Sequence, residues 1–585
     1  MPVYFVPTYR DLFSGPVPEP EDLLFDIPSD IVLNTLAFIN AQVVLGLNSL
    51  ESQMRVLDRL TQRVVHVLPD FSQKIYSFLR THRANARFFV TPYLLDFMQY
   101  ELQLFRDIPE HRDTNPDQEV RILKAYFVFA EKAKEKSLQQ MESVVYVPAD
   151  EFWFQKRTWP MIIGQHEINH LPHPGVFAVK ALVFLQFFLE HPTYNQYVQT
   201  FLDSSQQETI WHYVVRLLRV MELSLQKPNE NGLHLFRLTL PPDDFKPLFE
   251  GLSITSSIFK SIPNNSKNHT GIRANPIFNF RGEYYVVLHW HFLYQKVYKG
   301  LIFDFYQRSG IQKEFRTLPD FLSMIGKEVT ESRVFQPIMK NLLAKKHTIL
   351  EFDSVVGQNK KPDLYFRSGK KILLIELKDL MLPADVISNY SFEALSEQLE
   401  IKFVKNEKDE SKGIIQILNQ IKKINEEPLQ YDQFEKKGIK KRNIIIYPVI
   451  IYTNIDYSLP GIEDYLRKRF KSELNSYKSN AVTWNLGQVH DLVMISLDFF
   501  FRFNTEEDNI DLFSLIDTYN HRLTNRMHKF QKNPVAPLAL RLFPGFESIH
   551  SDRLRNKKPD INKLFQVLDI QIDLPSEKYQ LIFIH

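Results

Sequence analysis

Residues 360–379 read KKPDLYFRSGKKILLIELKD, from Lys360 to Asp379, and this stretch decides the fold. Apolar runs on either side of Arg367–Lys371 predict a β-hairpin. With its turn centred between Gly369 and Lys370, Asp363 and Glu376 face each other, and facing positions on paired strands lie about 5 Å apart. Alternate residues of a strand share a face, so Glu376 and Lys378 point the same way. Ile372 and Leu374 point with them, while Leu373, Ile375 and Leu377 point to the other side. Apolar residues on both faces mark a central, buried strand. A charge at the end of such a strand is costly unless it is paired or metal-bound.

Two carboxylates and one ammonium at that point make a site for a hard cation. Magnesium usually takes one or two carboxylates from protein and the rest from substrate phosphate and water. Such an ion polarises a phosphoryl oxygen and activates water. A lysine beside it can orient the water or stabilise charge developing on phosphorus.

The flanking sequence predicts helix, strand, strand, strand, helix, strand. Leu322–Lys345 reads as helix, and Thr348–Val355, Asp363–Phe366 and Ile372–Leu377 as strands. Lys412–Ile424 reads as helix and Ile444–Thr453 as an apolar strand. The charged stretch KFVKNEKDESKG, Lys402 to Gly413, reads as an exposed loop.

In this setting Pro362–Asp363, followed by Glu376–Leu377–Lys378, resembles the PD-(D/E)XK nuclease superfamily, with its restriction-endonuclease-like α-β-β-β-α-β core. The resemblance covers about residues 320–455. It implies Mg²⁺, replaceable by Mn²⁺, on Asp363, Glu376 and the Leu377 carbonyl, with Lys378 positioning water. It implies a further acid on the first helix, Glu331 with Glu328 as rival. It also implies a glutamine on the later helix, Gln416 before Gln420. The implied activity is that of a DNA endonuclease, by analogy in restriction or phage defence, and many members dimerise to cut both strands. The Pro-Asp pair alone carries no weight, since it occurs six times, ending at Asp70, Asp117, Asp243, Asp320, Asp363 and Asp560. The combination carries it.

Lysines flank this region. Lys360 and Lys361, with Lys440 and Lys441 from the run Lys436–Arg442, are candidate contacts to nucleic-acid phosphates, which position substrate without reading its sequence. Lys370 and Lys371 lie at the turn and read as solvated. A third cluster is Arg467, Lys468, Arg469 and Lys471.

A competing motif lies at residues 166–170, His-Glu-Ile-Asn-His. On a helix its histidines would share a face and bind zinc, with Glu167 as general base and His173 as a third ligand. Pro172 and Pro174 close any helix there, so the expected structure is a loop with exposed histidines. A zinc hydrolase using His166, Glu167 and His170 is the alternative enzyme. A non-catalytic nucleic-acid-binding or interaction protein with a degenerate nuclease fold is the other alternative.

The whole chain of 585 residues has a net charge of +2 and is 44% hydrophobic, which fits a folded protein of several domains. It has no cysteine, which excludes disulfides, thiolate metal sites and a cysteine nucleophile. No glycine-rich phosphate loop occurs. The N-terminus lacks signal-peptide character, so a cytoplasmic location is expected. The most apolar stretch, Gly175–Leu189, is shorter than the roughly 20 residues a membrane span needs and reads as a buried helix. The expectation is a multidomain α/β protein. Residues 1–230 form a mostly helical domain after an extended lead-in over 1–28. Residues 231–315 form a connector with a hairpin at 277–289, and 316–585 form the nuclease-like domain.

Overall fold

In a computed structural model the chain is described over residues 5–61, 70–82, 85–108, 115–142, 150–168, 173–222, 228–234, 236–239, 246–255, 269–345, 347–353, 361–427, 429–503, 510–532, 543–554 and 557–571. It is mixed α/β with two mixed sheets. Two units divide it, one from residues 2–145 and 164–314, the other from residues 146–163 and 315–572. Among the described residues no helix is long and apolar enough to cross a membrane.

The first unit is mainly helical. Ser29–Leu45 is buried on nearly every side, which its apolar residues at both helical and intervening positions require. Pro174–Glu190 is buried in the same way, as its sequence predicts. The expected lead-in is not wholly extended. Tyr9–Leu12 and Pro20–Leu24 are short helices, the first opened by a Thr8–Asp11 capping box and the second by proline at its first position. Strands β1 (Arg237–Thr239), β2 (Ser253–Ile254), β3 (Ile277–Phe280) and β4 (Tyr284–Val287) form a sheet in the order β1-β4-β3-β2. The β3–β4 turn has positive φ at both Arg281 (51°) and Gly282 (76°), the twist that suits a two-residue hairpin.

The second unit is built on β5 (Thr348–Phe352), β6 (Leu364–Ser368), β7 (Lys371–Lys378), β8 (Ile445–Tyr452), β9 (Gln488–Val489) and β10 (Val493–Ser496). The order is β10-β8-β7-β6-β5, with β9 also pairing β8. β5, β6 and β7 are antiparallel in sequence, and β8 runs parallel to β7. The hairpin register is the expected one: Ser368 pairs Lys371 at the turn and Leu364 pairs Ile375 at the far end. Gly369, with φ 60°, makes the turn.

β7 is buried from Ile372 to Leu377. On one face Ile372 and Leu374 join a core with Leu395, Leu399 and Phe403 of the helix Phe392–Phe403 and Ile414, Ile417 and Ile421 of the helix Gly413–Glu426. On the sheet's other face, Phe366 and Tyr447 pack against Phe513. Ahead of β5 one helical run passes through Leu318–Met324, a π-helical stretch Ile325–Phe335 and Gln336–Leu343. Pro337 lies just past the wide turns. It offers no N–H to a normal turn and its ring crowds the carbonyl four residues back, which accounts for widened turns before it.

Against the interior strand β6 lies a buried ion pair. Asp432 receives Arg367 through both guanidinium arms and the Tyr365 hydroxyl at 2.7 Å. Both charged side chains are almost wholly enclosed. Replacing Asp432 with Ala strands the guanidinium and is expected to cost about 3–5 kcal/mol, read as a lower urea midpoint. Replacing Lys471, an exposed residue, with Ala is expected to leave that midpoint in place.

Candidate functional site

At the end of β7, Glu376 is buried and Lys378 partly so. Lys378 Nζ donates to Glu376 Oε2 at 3.2 Å and to Gln416 Oε1 at 2.9 Å. Gln416 stands in the first turn of the helix Gly413–Glu426. Across the hairpin, Asp363 Oδ2 accepts the Leu377 backbone N–H at 2.6 Å. The stretch between β6 and the later helix therefore brings together Asp363, Glu376, Leu377, Lys378 and Gln416. Gly413 makes room for this. Its φ is +26°, and a Cβ there would meet the Phe403 carbonyl at 3.0 Å and Lys378 Cε at 3.3 Å.

Glu331, from the π-helical stretch, joins the group electrostatically. Burial, then the charges of Asp363 and Asp353, push its carboxyl up to about 7, against the pull of Lys327 and Lys378. Burial and the neighbouring Asp363 raise Glu376 well above the usual carboxylate range, although Lys378 opposes this. Asp363 is raised as well, by burial first, against Lys378 and the Leu377 N–H.

Two residues escaped the sequence reading. Asp353 follows β5 and raises Glu331, Asp363 and Glu376 together. The observed pairing places it: Phe352 pairs Leu364, which pairs Ile375, so the next row holds Asp353, Asp363 and Glu376. The other is Asp379. Its carboxylate accepts the hydroxyls of Thr330, beside Glu331, and Thr453, just past β8. It thereby ties the π-helical stretch to the ends of β7 and β8.

Glu331, Asp353, Asp363 and Glu376 thus interact with one another, and Lys378 opposes the shifts of Glu331, Asp363 and Glu376. The raised pKa values of Glu331, Asp363 and Glu376 come first from burial and then from the repulsion of neighbouring carboxylates, against the opposing pull of Lys378. Among the described residues no group of three or more histidines or acids is arranged to hold a metal ion.

The nucleic-acid lysines fare differently. Lys360 lies outside the described residues. Lys361 is engaged by Glu351 at 3.0 Å and lies over the Tyr431 ring. Lys440 and Lys441 precede β8, whose Ile445 pairs Lys371, whereas Lys378 pairs Tyr452. They lie at the opposite end of the sheet from the carboxylates, about 20 Å away at 3.3 Å per residue. They are therefore not among the lysines at the carboxylate end, because a parallel crossover returns the chain to the start of its neighbour.

The His-Glu-Ile-Asn-His motif is also placed differently from expectation. His166 ends the helix Trp153–His166 rather than lying in a loop. Glu167 is buried, with Arg273 at 3.0 Å, Lys299 at 3.2 Å and the Gln295 amide at 2.7 Å. Burial alone would raise its carboxyl, but Arg273 and Lys299 hold it well below the usual range. An acid so committed is a poor general base. His173 stands just ahead of the helix Pro174–Glu190, and His170 lies outside the described residues.

Comparison with protein-family models, curated proteins and solved structures finds no match. The functional reading therefore rests on the site itself.

Glu331 holds its proton more tightly in the fold than in the unfolded chain. Its contribution favours the fold at low pH and is lost as pH rises from the ordinary carboxylate range through about 7. Glu331→Gln is expected to raise the thermal midpoint at pH 8, with the gain shrinking towards zero at pH 4. Paired melting curves of the metal-free protein at the two pH values check this.

Proposed function

We propose that the second unit is a metal-dependent nuclease that hydrolyses phosphodiester bonds in DNA. The observation that carries the proposal is Lys378 Nζ bridging Glu376 and Gln416, with Asp363 across the hairpin. The order of elements around it, helix, three antiparallel strands, helices and a parallel strand, supports the reading, as does the motif's resemblance to PD-(D/E)XK nucleases.

Asp363 and Glu376, with the Leu377 carbonyl, would hold Mg²⁺ or Mn²⁺. The ion supplies Lewis-acid activation of the phosphoryl group and of water. Glu376 and Gln416 fix the Lys378 ammonium, and a fixed cation needs no reorganisation when charge develops on the phosphoryl oxygens. Lys378 also orients the attacking water towards phosphorus. Glu331, protonated or ionised near neutrality, adjusts the charge around the pair. Asp379 acts only by positioning, through Thr330 and Thr453.

Cleavage of supercoiled plasmid in Mg²⁺ or Mn²⁺ tests this. The wild type is expected to nick or linearise it, and chelation to stop it. Asp363→Ala and Lys378→Ala are each expected to lower the rate at least about 10²–10³-fold, the range seen when a key electrostatic group is removed. Circular dichroism should show the fold retained. Cleavage at wild-type rate in both variants overturns the assignment.

A further inference from the structure

The end of the sheet away from the carboxylates carries a second concentration of charge. Within residues 429–444 lie Lys436, Lys437, Lys440, Lys441 and Arg442, against Asp432 and Glu435. Asp432 is already neutralised by Arg367. Lys370, in the β6–β7 turn, is adjacent, its carbonyl accepting the Ile445 N–H at 2.9 Å. Lys370, Lys436, Lys437, Lys440 and Arg442 are all exposed.

Among the described residues some cations of the same unit are paired and others, such as Lys327, Lys402 and Lys471, are not; what sets these five apart is that they lie close together in one short stretch and the adjoining turn. Lys371, Arg467, Lys468, Arg469, Lys405 and Lys412 each have a carboxylate partner. Among the described residues, Lys370, Lys436, Lys437, Lys440 and Arg442 have no ion pair. Gathering like charges without counter-charges costs free energy that only an external anion relieves.

The backbone beneath them is ordered. Phe434–Lys437 and Lys441–Asn443 are 3₁₀ turns, anchored by buried Phe434 and Ile444. Gly438, with φ 78°, links them, and the Ile439 N–H returns to the Phe434 carbonyl at 3.1 Å. Lys441 Nζ caps the Asn425 carbonyl at 3.1 Å near the end of the helix Gly413–Glu426. The Asn425 side chain in turn accepts the Asn485 N–H at 2.8 Å, beside Trp484 and Lys478. The helix whose first turn carries Gln416 therefore ends at this basic rim.

We propose that the rim formed by Lys370, Lys436, Lys437, Lys440 and Arg442 is a second binding surface, for the phosphate backbone of duplex DNA. The choice of DNA as the polyanion rests on the nuclease reading. The rim lies about 20 Å from Glu376 along β7 at 3.3 Å per residue. That is roughly six base-pair steps of about 3.4 Å. Backbone contacts at that distance fix the register of a duplex on the protein without reading its sequence.

The test is fluorescence anisotropy with a labelled duplex of about 30 base pairs in EDTA, so that no cleavage intervenes. The substitutions are Lys436→Gln, Lys437→Gln and Lys440→Gln together, all at exposed positions. The triple variant is expected to bind at least tenfold more weakly. Its slope of log affinity against log salt should be shallower by about 2.7, because each phosphate that a lysine neutralises adds about 0.9 to the slope. A duplex of about five base pairs, too short to reach both regions, should lose less affinity. Asp363→Ala should keep the wild-type slope while losing cleavage, so failure of the rim and failure of the nuclease site are told apart. Equal affinity and slope in wild type and triple variant overturn the proposal, and so does a wild type that binds no duplex at low salt.

Discussion

The second unit is organised by one electrostatic constraint: Glu376 is buried at the end of the central strand, where water cannot solvate it. Such a group must be paired, protonated or bound to a cation. Lys378 pairs it at 3.2 Å, yet Asp363 and Asp353 add repulsion, and Glu376 stays raised well above the carboxylate range. The pull of Lys378 does not offset burial and the repulsion of its neighbours at Glu376.

The surrounding elements hold that imbalance in place. The core under β7 fixes Glu376, and Gly413 lets the helix Gly413–Glu426 begin against the stem of Lys378. Asp379 clamps Thr330 to Thr453 and so keeps the acid-bearing π-helical stretch over the strand ends. Packing stabilises the fold, and part of that stability offsets this unfavourable charge arrangement. Clusters of perturbed carboxyls are common at functional sites.

Much of this was legible in the residues. The glycine turn and the alternation of Leu373 to Leu377 made the hairpin register readable, and with it the facing of Asp363 and Glu376. Gln416 was named from the resemblance, on a helix that the apolar pattern had placed at Lys412–Ile424 and that runs from Gly413 to Glu426. Asp353 was hidden because no tight turn joins β5 to β6, so their register could not be counted from the sequence. Which end of the sheet Lys440 and Lys441 occupy was not legible, because that depends on the parallel pairing of β8 with β7. The partners of Glu167 come from residues more than a hundred positions away. No local pattern announces such contacts, and the His-Glu-Ile-Asn-His match therefore looked more open than it is. The π-helical turns likewise arise from a proline whose effect reaches back along the helix.

The most direct measurement is calorimetric titration of Mn²⁺ into the protein at pH 7, in two buffers of different ionisation enthalpy. If Asp363 and Glu376 form a cation site among carboxyls that hold protons near neutrality, Mn²⁺ binds and protons are released. The heat then differs between the buffers, and Asp363→Asn loses both the binding and the proton release. Saturable binding with unchanged proton release in that variant would place the metal elsewhere and contradict the account.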